Sequence, residues 1–170
     1  MGEYSGFWNS VNRDRIYNAD DFAAYFGDLV SNGMLNAGDG NNLKVSATGI
    51  GLGLAVANGK AWINGHNYKY TGGVALFCAA ANPSQPRIDS VILRLSETAR
   101  SINLAVLTGA AAASPAPPAL TRNTQIWELR LANVLVSANA LTLTAGNVTD
   151  TRYNPADCGI VNSLVAAVYQ

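Results

Sequence analysis

The sequence predicts a mainly β fold: an antiparallel β-sandwich with an N-terminal α-helix and a short C-terminal helix. Three observations carry that expectation. Residues 87–109 hold two apolar, β-branched runs flanking the polar connection Ser96-Glu-Thr-Ala-Arg100, without a helical repeat, which is the pattern of a long antiparallel hairpin. The dipeptides Asn58-Gly59 and Asn64-Gly65 punctuate a series of short β-patterned segments, as two-residue hairpin turns do. Residues 125–136 alternate Trp127, Leu129 and Leu131 with Glu128 and Arg130, so that strand also has a core side.

The totals bound the chain further. With 170 residues, 49% hydrophobic and 13% charged, it can bury a core as one domain with at most a small appendage. Eleven Lys plus Arg balance eleven Asp plus Glu, so there is no basic field to hold nucleic acid or an anionic membrane surface. Neither is an expected partner. Charge this sparse lies well below the ~25% usual for soluble domains, which points to a surface partly covered by other subunits.

No run approaches the ~18 apolar residues of a membrane span, and Met-Gly-Glu-Tyr-Ser-Gly lacks the build of a secretory signal. The expectation is a soluble chain made in a cytoplasm. Gly2 fails as a myristoylation site because Gly6 stands where Ser or Thr is required. Cys78 and Cys158 have no CxxC spacing, so buried free thiols are expected, with a bridge between them as the alternative, and no metal site and no cofactor.

In chain order, Asn18 suits an N-cap, Asp20 and Asp21 fall in the first turn favoured by the helix dipole, and Phe22, Phe26, Leu29 and Val30 form one apolar stripe. These predict a helix over residues 19–31, stopped by Gly33. Gly33 to Asn42 is turn-rich; Asp39, Asn41 and Asn42 lack the spacing and closing Glu of a calcium loop. Residues 43–47 and 51–56 read as short strands. Asn58-Gly59 and Asn64-Gly65 then predict a three-stranded meander from Gly51 to Tyr70.

His66, the only histidine, has no nucleophile or orienting acid supplied by a motif, and no G-x-S-x-G element occurs. Trp62, Tyr68 and Tyr70 read as core or interface packing, or alternatively as a stacking platform for a sugar ring. Ala110 to Leu120, rich in Ala and Pro, reads as an extended strap between two sheets, or as a polyproline ligand. The alternation in the 125–136 strand slips near Ala132 and Asn133, which predicts a bulge there. Leu141–Thr144 and Val148–Thr151 complete the β-region. Asn147-Val-Thr149 matches a glycosylation sequon that a cytoplasmic chain would not use.

Ile160, Val161, Leu164, Val165 and Val168 fall at helical spacing and predict a short amphipathic helix over 160–170 that docks on a neighbour. The organisation is thus an N-terminal arm and helix over residues 1–33, a β-sandwich over 34–153 and a short C-terminal helical segment over 154–170.

Five blocks, Gly6 to Gly33, Gly59-Lys-Ala-Trp-Ile-Asn-Gly65, Arg87-Ile-Asp-Ser-Val-Ile-Leu-Arg-Leu95, Pro118-Ala-Leu-Thr-Arg122 and Asp150-Thr-Arg152, together resemble in order and spacing the N-terminal module of tail and baseplate structural proteins from phages and prophages of Gram-positive bacteria. The resemblance spans nearly the whole chain. It implies a non-enzymatic adaptor or anchor for a fibre or receptor-binding protein, located in the tail of a virion or phage-like particle assembled in the bacterial cytoplasm. It implies itself and other tail or baseplate proteins as partners, with a threefold homo-oligomer favoured. The expected assembly surface is Phe22, Phe26, Leu29, Ile160, Leu164 and Val168. The alternative function is a carbohydrate-binding module for host cell-wall sugars acting through Trp62, Tyr68 and Tyr70.

Overall fold

The computed structural model describes residues 5–36 and 38–165. It is mainly β and sandwich-like: three antiparallel sheets with one α-helix ahead of them. Helix α1 (Ala19–Leu29) starts where its cap was expected. Asn18 Oδ1 accepts from the amides of Asp20 at 2.8 Å and Asp21 at 3.2 Å, while Asp21 Oδ2 accepts from the amide of Asn18 at 2.8 Å. This reciprocal box satisfies amides that have no partner within the helix. The helix ends at Leu29 rather than Ser31, because Val30 is already extended and bridges Ser163. A strand-like pairing stops it, not Gly33.

Strands β1 (Gly33–Met34), β4 (Gly59–Ile63) and β5 (His66–Tyr70) form one sheet in the order β1-β4-β5. Strands β2 (Val45–Ala47), β3 (Gly53–Val56) and β6 (Leu76–Phe77) form a second in the order β2-β3-β6. The expected meander from Gly51 to Tyr70 is therefore not formed, since β3 and β4 belong to different sheets. The reason is local. Asn42 takes the chain at Asn58-Gly59 out of hairpin geometry: its Oδ1 accepts from the amide of Lys60 at 2.6 Å, and the amide of Leu43 donates to the Asn58 carbonyl. A Cβ on Gly59 would lie 2.2 Å from Asn42 Oδ1, so this glycine serves close approach rather than a turn. Asn64-Gly65 is the true hairpin turn, with φ of 49° and 76° as a type I′ turn demands.

The third sheet runs β10-β9-β7-β8, from β7 (Arg87–Ser96), β8 (Ser101–Leu107), β9 (Ile126–Val136) and β10 (Val148–Asp150). The central hairpin is as expected, closing at Ser96 opposite Ser101. Leu141–Thr144 stays outside the sheets, although Leu143 is buried. The bulge is present and one residue earlier than expected. Val91 pairs with Ala132 and Ile92 with Arg130, leaving Leu131 as the extra residue. It restores Val134 and Val136 to the face already occupied by Leu129, so both halves of β9 serve one core.

That core is a single cluster to which all three sheets contribute, with Ala61 and Ile63, Leu54 and Leu76, and Val91, Leu93 and Leu131 among its members. The outer face of β7 and β9 is also closed, since Ser90, Ile92 and Glu128 are buried too. The chain from Ala110 to Arg122 closes it. The amide of Ala112 donates to the Pro86 carbonyl at 3.0 Å, Arg130 Nη2 donates to the Pro118 carbonyl at 2.5 Å, and the amide of Thr121 donates to Glu128 Oε2 at 2.7 Å. This segment straps one sheet rather than crossing between two.

The expected C-terminal helix is corrected over its first residues. Ile160 bridges Met34 in parallel and Ser163 bridges Val30, so this part of the chain is extended. The amide of Val161 donates to the Met34 carbonyl and that of Leu164 to the Leu29 carbonyl, each at 2.9 Å. The open side of β1 and the end of α1 offer partners that a helix over these residues would have to forgo. Residues 166–170, Val168 among them, lie outside the described residues.

Candidate functional site

Of the assembly residues expected from the sequence, Leu29 and Leu164 meet, the amide of Leu164 donating to the Leu29 carbonyl. Val30 and Ser163 pair, the amide of Ser31 donates to Asn162 O at 2.9 Å, and Asn162 N donates to Ser31 Oγ at 2.9 Å. The turn after α1 and the C-terminal segment thus run side by side. Ile160 packs against the core and Leu29 is half-buried, whereas Phe22, Phe26 and Leu164 are exposed. No side chain of α1 is fully buried. The helix is laid on the sheet, not sunk into it.

What holds it there is a run of aromatic rings. Phe7 stacks on Tyr17 with centroids 5.7 Å apart and meets Tyr25 edge-on at 4.7 Å. Tyr25 meets Phe26 at 5.8 Å, and Phe26 reaches Trp62 of β4 at 5.3 Å. The arm that carries Phe7 is fixed by the amide of Trp8 donating to the Tyr17 hydroxyl at 2.7 Å, and by Asp14 accepting from the amide of Val11 at 2.6 Å. Rings in these offset and edge-on geometries attract beyond their buried area. Yet the outer surface of the run stays wet: Phe7 is 53% exposed, Trp8 60% and Ile16 82%.

Phe7, Trp8 and Tyr25 were not anticipated as parts of this surface. A signal for the first was present: Tyr17 before the cap and Phe22 four residues after it are spaced as a hydrophobic staple, and Phe7 lies against both rings.

The register separates Trp62 from Tyr68 and Tyr70, the rings offered for sugar stacking. Tyr68 pairs with Ala61 and Tyr70 with Gly59, on the core side, while Trp62 pairs with Asn67 on the other face. The three rings do not form one platform. Burial pushes the Tyr68 hydroxyl up to about 12, with Tyr70 adding to it. His66 is half-buried, with Nδ1 3.2 Å from the Asn64 carbonyl. It lines a cavity of about 300 Å³ with Asp20, Glu97 and Arg100, but among the described residues no hydrogen bond joins any two of these four side chains.

The paired charges are spent on structure. Arg87 pairs with Asp89 at 2.9 Å, Arg94 with Glu128 at 2.7 Å, Arg130 with Asp157 at 2.6 Å and Arg152 with Asp150 at 2.6 Å. The remaining guanidinium donors go mostly to loop carbonyls, as Arg87 does to Ala79 and Ala80. The Arg152 hydrogen bond holds the Asp150 carboxyl below its ordinary range. Cys78 and Cys158 are free and buried. Burial pushes the first thiol up to about 12, helped by Asp89, and the second to about 11, far from the thiolate that nucleophilic chemistry needs. Among the described residues no group of three or more His, Cys, Asp or Glu could hold a metal ion.

In comparison with known proteins, no family model, curated protein or solved structure matches this chain.

Proposed function

We propose that the chain is a non-enzymatic structural component of a phage or phage-like particle, an adaptor or anchor at the tail baseplate or fibre. The observation that carries this reading is the exposed aromatic run of Phe7, Tyr25 and Phe26, lying at the same end of the fold as Leu29 and Leu164. Burying such a surface between subunits removes apolar area from water that a monomer leaves exposed. The five sequence blocks add the tail context, with copies of this chain and other tail proteins as partners and a trimer as the favoured closed form.

Light scattering of the full chain at tens of micromolar tests it. A homo-oligomer is expected, and Tyr25→Asp and Leu164→Asp, both at exposed positions, should reduce it to monomer with the β-spectrum intact. A monomeric wild type, or variants that keep the wild-type mass, would overturn the assembly reading.

A further inference from the structure

The chain contains three lysines, and β4 and β5 place two of them directly opposite each other. Lys60 pairs with Lys69 in the antiparallel register. The amide of Lys60 donates to Asn42 Oδ1 and its carbonyl accepts from the amide of Leu35, so both backbone groups point away from β5. Lys60 and Lys69 are therefore a non-hydrogen-bonded pair, the kind in which facing side chains come closest, about 4.5 Å between Cα atoms. Like charges in that position destabilise a sheet. No ion pair among the described residues relieves them, since the four found there are all made by arginines.

The pair lines an open surface groove of about 650 Å³ whose other polar walls include Asn36, Asn58 and Thr71, and all five of these residues are exposed. No Asp or Glu lines it. Asn42, at the same wall, is already committed: its amide nitrogen donates to the carbonyls of Leu35 and Lys60, and it thereby fixes the strand that carries Lys60. Two cationic side chains, three uncommitted polar groups and no carboxylate make a site for negative charge. Its formal charge of +2 matches a dianion better than a single carboxylate, because the repulsion across the pair is relieved only when both ammonium groups are countered.

We propose that this groove binds a divalent tetrahedral oxyanion, as inorganic phosphate or as the phosphate monoester of a small molecule, between the ammonium groups of Lys60 and Lys69. Asn36, Asn58 and Thr71 offer further hydrogen bonds to the oxyanion or to what it is attached to. The site is independent of the assembly reading, since it needs only one copy of the chain.

The test is calorimetric titration of the full chain with inorganic phosphate, ribose 5-phosphate and acetate, each at one ionic strength set with chloride, alongside thermal unfolding in the same buffers. Phosphate should bind and raise the melting temperature, and acetate should do neither. Lys69→Gln should weaken phosphate binding about tenfold or more, while Lys69→Arg retains it. In phosphate-free buffer Lys69→Gln should melt no lower than wild type, because it removes the repulsion and shows that the fold is intact. Tighter binding of ribose 5-phosphate than of phosphate would identify an organic phosphate as the occupant, and equal binding the free ion; either supports the site. Phosphate without effect beyond chloride, or full phosphate binding by the Lys60→Gln, Lys69→Gln double variant, would overturn it.

Discussion

Arg152 donates from Nη1 to the carbonyl of Asn42 at 2.5 Å, joining positions 110 residues apart. Its Nη2 reaches the Gly40 carbonyl at 3.0 Å, and Nε and Nη2 grip both oxygens of Asp150. The loop that carries Asn42 is thereby tied to the end of β10. Asn42 in turn holds Lys60, so one buried guanidinium connects two sheets through a single asparagine.

Arg152→Met should therefore destabilise the fold by about 2–3 kcal/mol. Removing one partner of a buried pair costs about 3–5 kcal/mol, but the Asp150 side chain is 39% exposed and regains water. Urea unfolding should show a lower midpoint at unchanged slope. An unchanged midpoint would mean that the loop at Gly40 to Asn42 is held by other contacts.

The same pair sets a pH dependence. The Asp150 carboxyl is depressed in the folded state, chiefly by its hydrogen bond to Arg152, so it contributes stability above its unfolded value near pH 4. That contribution is lost as pH falls through the lower folded value. Asp150→Asn should therefore be less stable than wild type at pH 7, and the gap should close on acidification below about pH 4. Denaturant melts of the two proteins across pH 7 to 2 check it; a gap constant with pH would refute the linkage.

Gly65 governs the seating of the helix. A Cβ there would lie 1.8 Å from the carbonyl oxygen of Ala23, and its φ of +76° already disfavours side chains. Gly65→Ala should lift α1 from the β4–β5 turn while leaving the four-stranded sheet folded. Trp62, which loses its contact with Phe26, should become more water-accessible, and cleavage near residues 17–31 by a protease should accelerate. Unchanged protection of α1 would show that the turn moves instead.

How far the sequence was legible follows from which interactions are local. The Asn18 cap and the slip in β9 were readable because each is written within a few neighbouring residues: an N-cap asparagine three residues before Asp21, and an alternation that breaks at Leu131. The meander was misread because Asn58-Gly59 looks like a hairpin, while its geometry is set by Asn42, sixteen positions upstream. The spacing of Ile160, Val161 and Leu164 fits a helix in isolation, but those residues meet the open edges of β1 and α1, and tertiary pairing overrides the pattern. Phe22 and Phe26 lie on the helix that the hydrophobic spacing predicts; Phe7 and Trp8 could not be placed beforehand, because an irregular arm has no period to read.

Phe26 separates docking from assembly. It is 38% exposed, so its loss removes a partial burial and one ring contact, that with Trp62 at 5.3 Å, besides its contact with Tyr25. Phe26→Ala should cost a single chain about 1–2 kcal/mol, below the ~3–5 kcal/mol of a fully buried phenylalanine. If the exposed part of the ring is covered by another subunit, the variant should lose more than this when unfolding is followed at concentrations where the wild type is associated. The excess should shrink on dilution, since stability gained from association depends on protein concentration. Unfolding of wild type and variant at two protein concentrations a hundredfold apart measures both quantities. A loss independent of concentration would place the whole contribution of Phe26 within one chain, and a loss under about 0.5 kcal/mol at both would show that α1 rests on the sheet without it.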